Sequence, residues 1–178
     1  MAKVSFAARN KMLGGQLLNL LSNGAFASAI TGWTNTVGFA QASTVTGAKG
    51  TTGYVALTSS GSAAEGRYTA ALTLKGKRKY DLSFWVYVPT TLAVSTGVQC
   101  LFGTTAGASD ISSMTYMPSA LDTWERVSHE FIVPANTSSV YLTFKNTDVT
   151  NTKVAYIDEV SLNISTGSFD EVFEGAVL

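Results

Sequence analysis

The chain has only one cysteine, Cys100, only one histidine, His129, and three prolines among its 178 residues. A lone cysteine excludes an intramolecular disulfide, so the fold has to be held by packing and hydrogen bonds. Cys100 sits in the apolar run Val-Gln-Cys-Leu-Phe, where an inert buried thiol is the expected state. A lone histidine excludes paired-histidine metal sites and leaves a Ser-His-Asp system a single possible base. Charge is sparse as well: Lys plus Arg and Asp plus Glu number 12 each, 13% of residues are charged, and the formal net charge is zero. A chain without a strong field is not built to work on nucleic acid. No apolar run is long enough to cross a bilayer, so no membrane partner is expected. The first residues, Met-Ala-Lys-Val-Ser-Phe-Ala-Ala-Arg-Asn-Lys-Met, lack the continuous apolar core of a secretory signal, and synthesis and use without export is the expectation.

The motifs of catalysis are missing too. There is no Gly-x-Ser-x-Gly elbow, no glycine-rich phosphate loop followed by Lys and Ser or Thr, and no paired His or Cys set. Asp158 and Glu159 are adjacent acids, but neighbours in a strand face opposite sides, whereas glycoside hydrolysis needs two acids held across a cleft. A non-enzymatic protein is the expectation.

What is present is the punctuation of an all-β protein, with short alternating runs separated by Gly, Ser, Thr, Asn and Pro. The opening stretch Asn19–Trp33 reads as the entry into a sandwich, with a short apolar strand predicted at Leu17–Leu21, a break at Asn23–Gly24, and Phe26, Ile30 and Trp33 as buried anchors. Further strands are predicted at Gly38–Val45, Gly53–Thr58, Arg67–Leu74, Tyr80–Val88, Val98–Gly103, Ser113–Met117, Glu125–Val133, Val140–Asn146 and Val154–Leu162. Their number and spacing predict an antiparallel two-sheet sandwich.

In Tyr80–Val88, a period of two puts Tyr80, Leu82, Phe84, Val86 and Val88 on the core face and Asp81, Ser83, Trp85 and Tyr87 on the other. In Glu125–Val133 the same period turns Val127, His129, Phe131 and Val133 inward, so His129 is expected to be a hydrogen-bonded structural residue. The turn Leu74–Lys79 carries four cations, which suit a solvated, aggregation-blocking edge.

The two ends carry opposite charge. Residues 1–16 hold Lys3, Arg9 and Lys11 and no acid; residues 164–178 hold Asp170, Glu171 and Glu174 and no base. Phe6, Phe169 and Phe173 add aromatic contacts that a merely solvated tail does not need. The organisation read from this is an N-terminal arm at 1–16, a sandwich domain at 17–163 and a C-terminal tail at 164–178, with both ends as candidate assembly arms.

Three segments together resemble one family. Asn-Leu-Leu-Ser-Asn-Gly-Ala-Phe with Gly32–Trp33, the pair Tyr80–Val88 and Trp124–Pro134, and the closing Val-Ala-Tyr-Ile-Asp-Glu-Val-Ser-Leu162 are similar to the jelly-roll carbohydrate-binding modules of the xylan- and cellulose-binding type, in the galactose-binding-like superfamily. The resemblance implies a jelly-roll β-sandwich in which Asn19–Phe26 lies beside Tyr156–Leu162. It also implies a sugar platform of surface aromatics, matched by Trp85 and Tyr87, with Gln99 and Ser83 as hydroxyl partners; the same two rings also suit cover for the sheet under a loop, or a subunit contact. Members often hold a structural calcium through an acid after the opening-motif Phe and the Asp of the closing motif. Asp158 stands at the second position, but Ala27 stands at the first, so one carboxylate is missing and no cofactor is expected.

Sandwiches of this kind recur in bacteriophage particles. A chain of low charge with arms of opposite sign is therefore read first as a non-enzymatic virion structural protein, a capsid decoration or cement, fibre or tail component. It would be made in the host cytoplasm, bind other virion proteins and associate with itself, as a trimer in the first instance. The alternative is a carbohydrate-binding module that recognises a glycan, such as one on a host surface, through surface aromatics.

Overall fold

The computed structural model describes residues 19–51, 53–150 and 152–165. The arm residues Lys3, Phe6, Arg9, Lys11, Phe169 and Phe173 lie outside them, as do Leu17 and Leu18. Ten strands run in order: β1 Trp33–Val37, β2 Phe39–Ala42, β3 Tyr54–Thr58, β4 Ala64–Tyr68, β5 Lys79–Tyr87, β6 Val98–Gly103, β7 Ser112–Tyr116, β8 Glu125–Ile132, β9 Tyr141–Asn146 and β10 Val154–Ile164. They form two five-stranded sheets, β1-β4-β9-β6-β7 and β2-β3-β10-β5-β8, with every pairing antiparallel. This is the jelly-roll β-sandwich that the patterning and the resemblance imply.

The alternating residues of both sheets meet in one core. Phe84 and Phe144 face each other across it in an edge-to-face contact at 5.0 Å, and Phe102 stacks on Phe131 at 3.9 Å. Tyr80, Leu82, Phe84, Val86 and Val88 are all buried, as the period of two requires. Cys100 is fully buried, and burial pushes its thiol well above the ordinary range. His129 turns inward between Val127 and Phe131 and shares a 2.8 Å hydrogen bond with Ser112 of β7, tying the edge strands of the two sheets together.

The opening motif does lie beside β10, but not as a strand. Two backbone bonds join it to β10, from the Leu20 N–H to the Leu162 carbonyl at 2.9 Å and from the Val160 N–H to the Gly24 carbonyl at 2.8 Å. The Asn19 side chain adds two more: Nδ2 donates to the Val160 carbonyl at 2.9 Å, and Oδ1 accepts from the Leu162 N–H at 2.9 Å. Phe26 and Trp33 are buried and Ile30 packs on the core as anticipated. Elsewhere the register corrects the reading. Trp33–Val37 is a strand that patterning did not mark, because Thr34, Asn35 and Thr36 are exposed at a sheet edge. The predicted Arg67–Leu74 strand is instead Ala64–Tyr68, and Leu72 adds only an isolated bridge to Val140. The earlier start is set by pairing with β1 and β9 over these residues, and Gly66 lets the Phe39 ring approach so closely that a Cβ would lie 2.1 Å from it. β10 runs to Ile164, which packs on the core beyond the boundary placed at 163.

Polar groups are buried where loops cross. Asp148, 3% exposed, accepts from the Ser95 N–H and hydroxyl and from the Thr150 N–H. These donors hold its carboxyl well below the ordinary range. A depressed folded-state pKa contributes stability that is present above the unfolded-state value, near 3.9, and is lost as pH falls through the folded-state value. Asp148→Asn is expected to lower thermal stability at pH 7 and to flatten its decline below about pH 4. Unfolding midpoints measured across pH 2–7 check this, and a mutant curve parallel to wild type would contradict it.

Candidate functional site

The outer face of the sheet β2-β3-β10-β5-β8 is divided into two halves. One half is filled. Tyr54, Ala56, Val154 and Tyr156 form a second apolar cluster, with Val45, Tyr87, Leu92 and Trp124 packed on it. Tyr87 lies 5.5 Å from Trp124 and 5.8 Å from Tyr156, ring centre to ring centre. Its hydroxyl donates to Asp122, and the Trp124 N–H donates to the Thr46 carbonyl at 2.8 Å. Tyr87 is therefore a packed ring under loops, the covering role weighed against a platform.

The other half is open. Here β5 supplies Asp81, Ser83 and Trp85 at alternate positions, and the ladders fix what flanks each. Asp81 pairs with Asn163 of β10 and Glu130 of β8; Ser83 pairs with Ser161 and Ser128; Trp85 pairs with Asp158 and Arg126. Three cross-strand rows result: an acid and amide row, a row of serines, and a row with an indole beside a guanidinium. They floor a cleft of about 390 Å³ that Lys49, Glu159, Ile164 and Ser165 also line.

The cleft's electrostatics follow from its ion pairs. Glu159 holds Lys49 at 2.9 Å; Glu130 holds Lys79 at 3.5 Å and accepts from the Ser165 hydroxyl at 2.9 Å. Burial, then the adjacent Glu130 carboxylate, pushes Asp81 above the ordinary carboxylate range. Asp81 Oδ1 and Asn163 Oδ1 are buried without a hydrogen-bond partner, which is costly unless a donor arrives.

The sequence marks Trp85 and Ser83 as site candidates and puts Asp81 on their face of the strand, but it does not bring Asn163, Ser161, Arg126 and Glu130 beside them. The missing signal was register, which no single strand contains. Alternation also misled at Asp158 and Glu159. The β10 register shifts between Asp158 and Ser161, and Glu159 takes a φ of 50°. This bulge turns both side chains toward the loop that contains Lys49 and Thr51, where Asp158 accepts from Thr51 Oγ1 and Glu159 pairs with Lys49.

Asp158 is the residue that the resemblance offers as a calcium ligand, and its surroundings do not fit that ion. Its two oxygens accept from Thr51 Oγ1 at 2.8 Å and from the Glu159 N–H at 2.7 Å. Its carboxyl is raised by burial, Ala27 supplies no second carboxylate, and no cluster of three acidic, His or Cys side chains suited to a metal occurs among the described residues.

Gln99 lies elsewhere. It projects from β6 on the outer face of the other sheet, between Lys145 and Thr115 in register, the sandwich's thickness away from Trp85. That face presents an ion network, with Glu65 bonded to Arg67 and near Lys145. Among the described residues Tyr141 is the only ring that its strands turn outward. The structure thus groups Trp85 with Ser83, sets Tyr87 into a packed cluster and separates Gln99 from both.

A jelly-roll sandwich with a polar cleft around one indole on a sheet face has the form of a ligand-binding module. The family profile described as carbohydrate binding domain matches residues 18–152, and the chain belongs to that family. Among solved structures it is similar to a family 16 carbohydrate-binding module (18% identity, TM-score 0.61, 81% of this chain and 99% of that one). It is also similar to the CBM22-1 xylan-binding domain of Xyn10C from Paenibacillus barcinonensis (15% identity, TM-score 0.60, 83% and 95%). A third likeness is to the enzymatically active domain of tailspike protein 4 from bacteriophage CBA120 (17% identity, TM-score 0.61, 83% of this chain but 21% of that one). No curated protein matches the chain.

Proposed function

We propose that the chain is a non-catalytic glycan-binding module whose site is the cleft around Trp85. The observation that carries this is the in-register set of Trp85, the serine row and the acceptor row on one open sheet face. An indole face stacks against the C–H face of a sugar, and flanking hydroxyl, amide and carboxylate groups engage its hydroxyls. The carboxylates do not amount to a hydrolytic pair. Glu159 and Glu130 are each tied to a lysine instead of facing each other freely across the cleft, as a hydrolytic pair must. Binding of soluble glycans without release of reducing ends over hours is the expected result, and turnover would contradict the non-catalytic assignment.

We further propose that the module serves in a bacteriophage particle, with residues 1–16 and the C-terminal tail beyond Ser165 as arms toward other virion proteins or toward copies of itself, a trimer in the first instance. This reading is supported by the opposite charges of the two ends and by the likeness to a tailspike domain. Deleting residues 1–16 is expected to reduce incorporation into the assembly while leaving the thermal unfolding midpoint unchanged. Undiminished incorporation would remove the arm's role.

A further inference from the structure

We infer that the cleft takes the end or a branch of a glycan, one or two sugar residues long, and does not accommodate the interior of a long glycan chain. The inference rests on the glycan-binding reading and adds which part of the glycan is recognised.

Packed rings and ion pairs border the cleft on three sides. Beyond Trp85 along β5, the next outward residue is Tyr87, whose pairing partner Tyr156 belongs to the filled aromatic cluster. A chain running past the indole in that direction meets packed rings. Beyond Asp81, the Ser165 N–H donates to the Lys79 carbonyl at 3.0 Å, and Ser165 and Lys79 both engage Glu130. These contacts cross β5 from the end of β10 to β8 and shut that end. Along the β10 side stands the Lys49–Glu159 pair. Among the described residues, only the β8 side, with Arg126 and Ser128 exposed, is left for the rest of a glycan to leave.

The open floor is three outward positions of one strand, a span of about 14 Å. Among the described residues Trp85 is the only ring in its lining, so the cleft offers one stacking platform where a chain binder needs several in line. Its volume, about 390 Å³, is near the lower end of small-ligand sites, roughly 300–1,000 Å³. With a terminal pyranose or furanose stacked on Trp85, its hydroxyls face the Ser83–Ser161 row, and a second residue along the floor faces Asp81 and Asn163. At that end the two unpartnered oxygens are reached by a side-chain rotation and receive donors, so the recognised residue presents adjacent free hydroxyls.

The test is calorimetric titration of the full chain with methyl glycosides of xylose, arabinose, glucose, galactose and mannose, and with the linear di- to hexasaccharides of each. At least one methyl glycoside or disaccharide is expected to bind, and the longer oligomers are expected to bind within about threefold of the disaccharide, counted per chain end. For the sugar that binds, deoxy analogues are expected to lose about tenfold at the hydroxyl facing Asn163. In Asn163→Ala, that one deoxy analogue should bind as well as its parent. An affinity that climbs more than tenfold from disaccharide to hexasaccharide would overturn the chain-end inference while leaving glycan binding in place. Equal losses for every deoxy analogue in both proteins would likewise overturn it. Silence from the entire panel, polymers included, would instead remove the glycan-binding reading itself.

Discussion

Trp85→Ala is expected to lower glycan affinity by roughly thirtyfold or more, while the protein unfolds at nearly the wild-type temperature. A buried-on-binding aromatic at the centre of a site is worth about 2 kcal/mol or more, which is that ratio. Trp85 is half-buried on the outer face and adds no ring contact to either apolar cluster, so its loss leaves the fold's packing in place. Tyr87→Ala, two residues along the same face, provides the contrast. Tyr87 packs on Trp124 and Tyr156, and its removal is expected to cost about 2 kcal/mol of stability, or ~4–8 °C in unfolding midpoint for a domain of this size. Affinity measured below that midpoint should stay within a few-fold of wild type. If Trp85→Ala left affinity untouched, or lowered the midpoint as Tyr87→Ala does, the cleft would lose its claim to be the site.

Phe26→Ala is expected to be the most damaging single truncation in the opening motif, at about 3–5 kcal/mol. The ring is fully buried and packs on Trp33 at 5.4 Å and Phe39 at 6.3 Å. The surrounding backbone cannot settle into the space left behind. Gln41 Nε2 donates to the Phe26 carbonyl at 2.9 Å, and Val160 N–H to the Gly24 carbonyl at 2.8 Å, so the segment is pinned from two sides. A retained cavity puts the cost toward the upper part of the range. For a domain whose whole stability is of order 5–15 kcal/mol, this amounts to a fall of about 10 °C or more in the unfolding midpoint. A loss under about 1 kcal/mol would mean that the opening segment can peel from β10 without disturbing the core.

How much could be read in advance differs between elements. β5 was legible throughout, because alternation alone separates Leu82, Phe84 and Val86 from Ser83 and Trp85. His129 was legible for the same reason, its neighbours Val127 and Phe131 marking the inward face. β1 was not, since an edge strand of Thr34, Asn35 and Thr36 buries only Trp33 firmly and carries no period to detect. Gln99 was misgrouped with Trp85 because its outward position on β6 was visible, whereas the sheet to which β6 belongs was not.

The sequence by itself determined the all-β class, the core faces of its longer strands and the exclusion of an intramolecular disulfide and of a paired-histidine site, since period-two burial and composition are local properties. The tertiary structure alone decided which side chains share the cleft. Asp81, Asn163 and Glu130 are separated by up to 82 positions in the chain and meet only because β10, β5 and β8 pair in one register. It also decided that Asp158 and Glu159 reach one loop, since a single bulge reverses what alternation predicts. A site built across strands is a property of register, and register is set by long-range pairing and turn geometry that no short segment encodes.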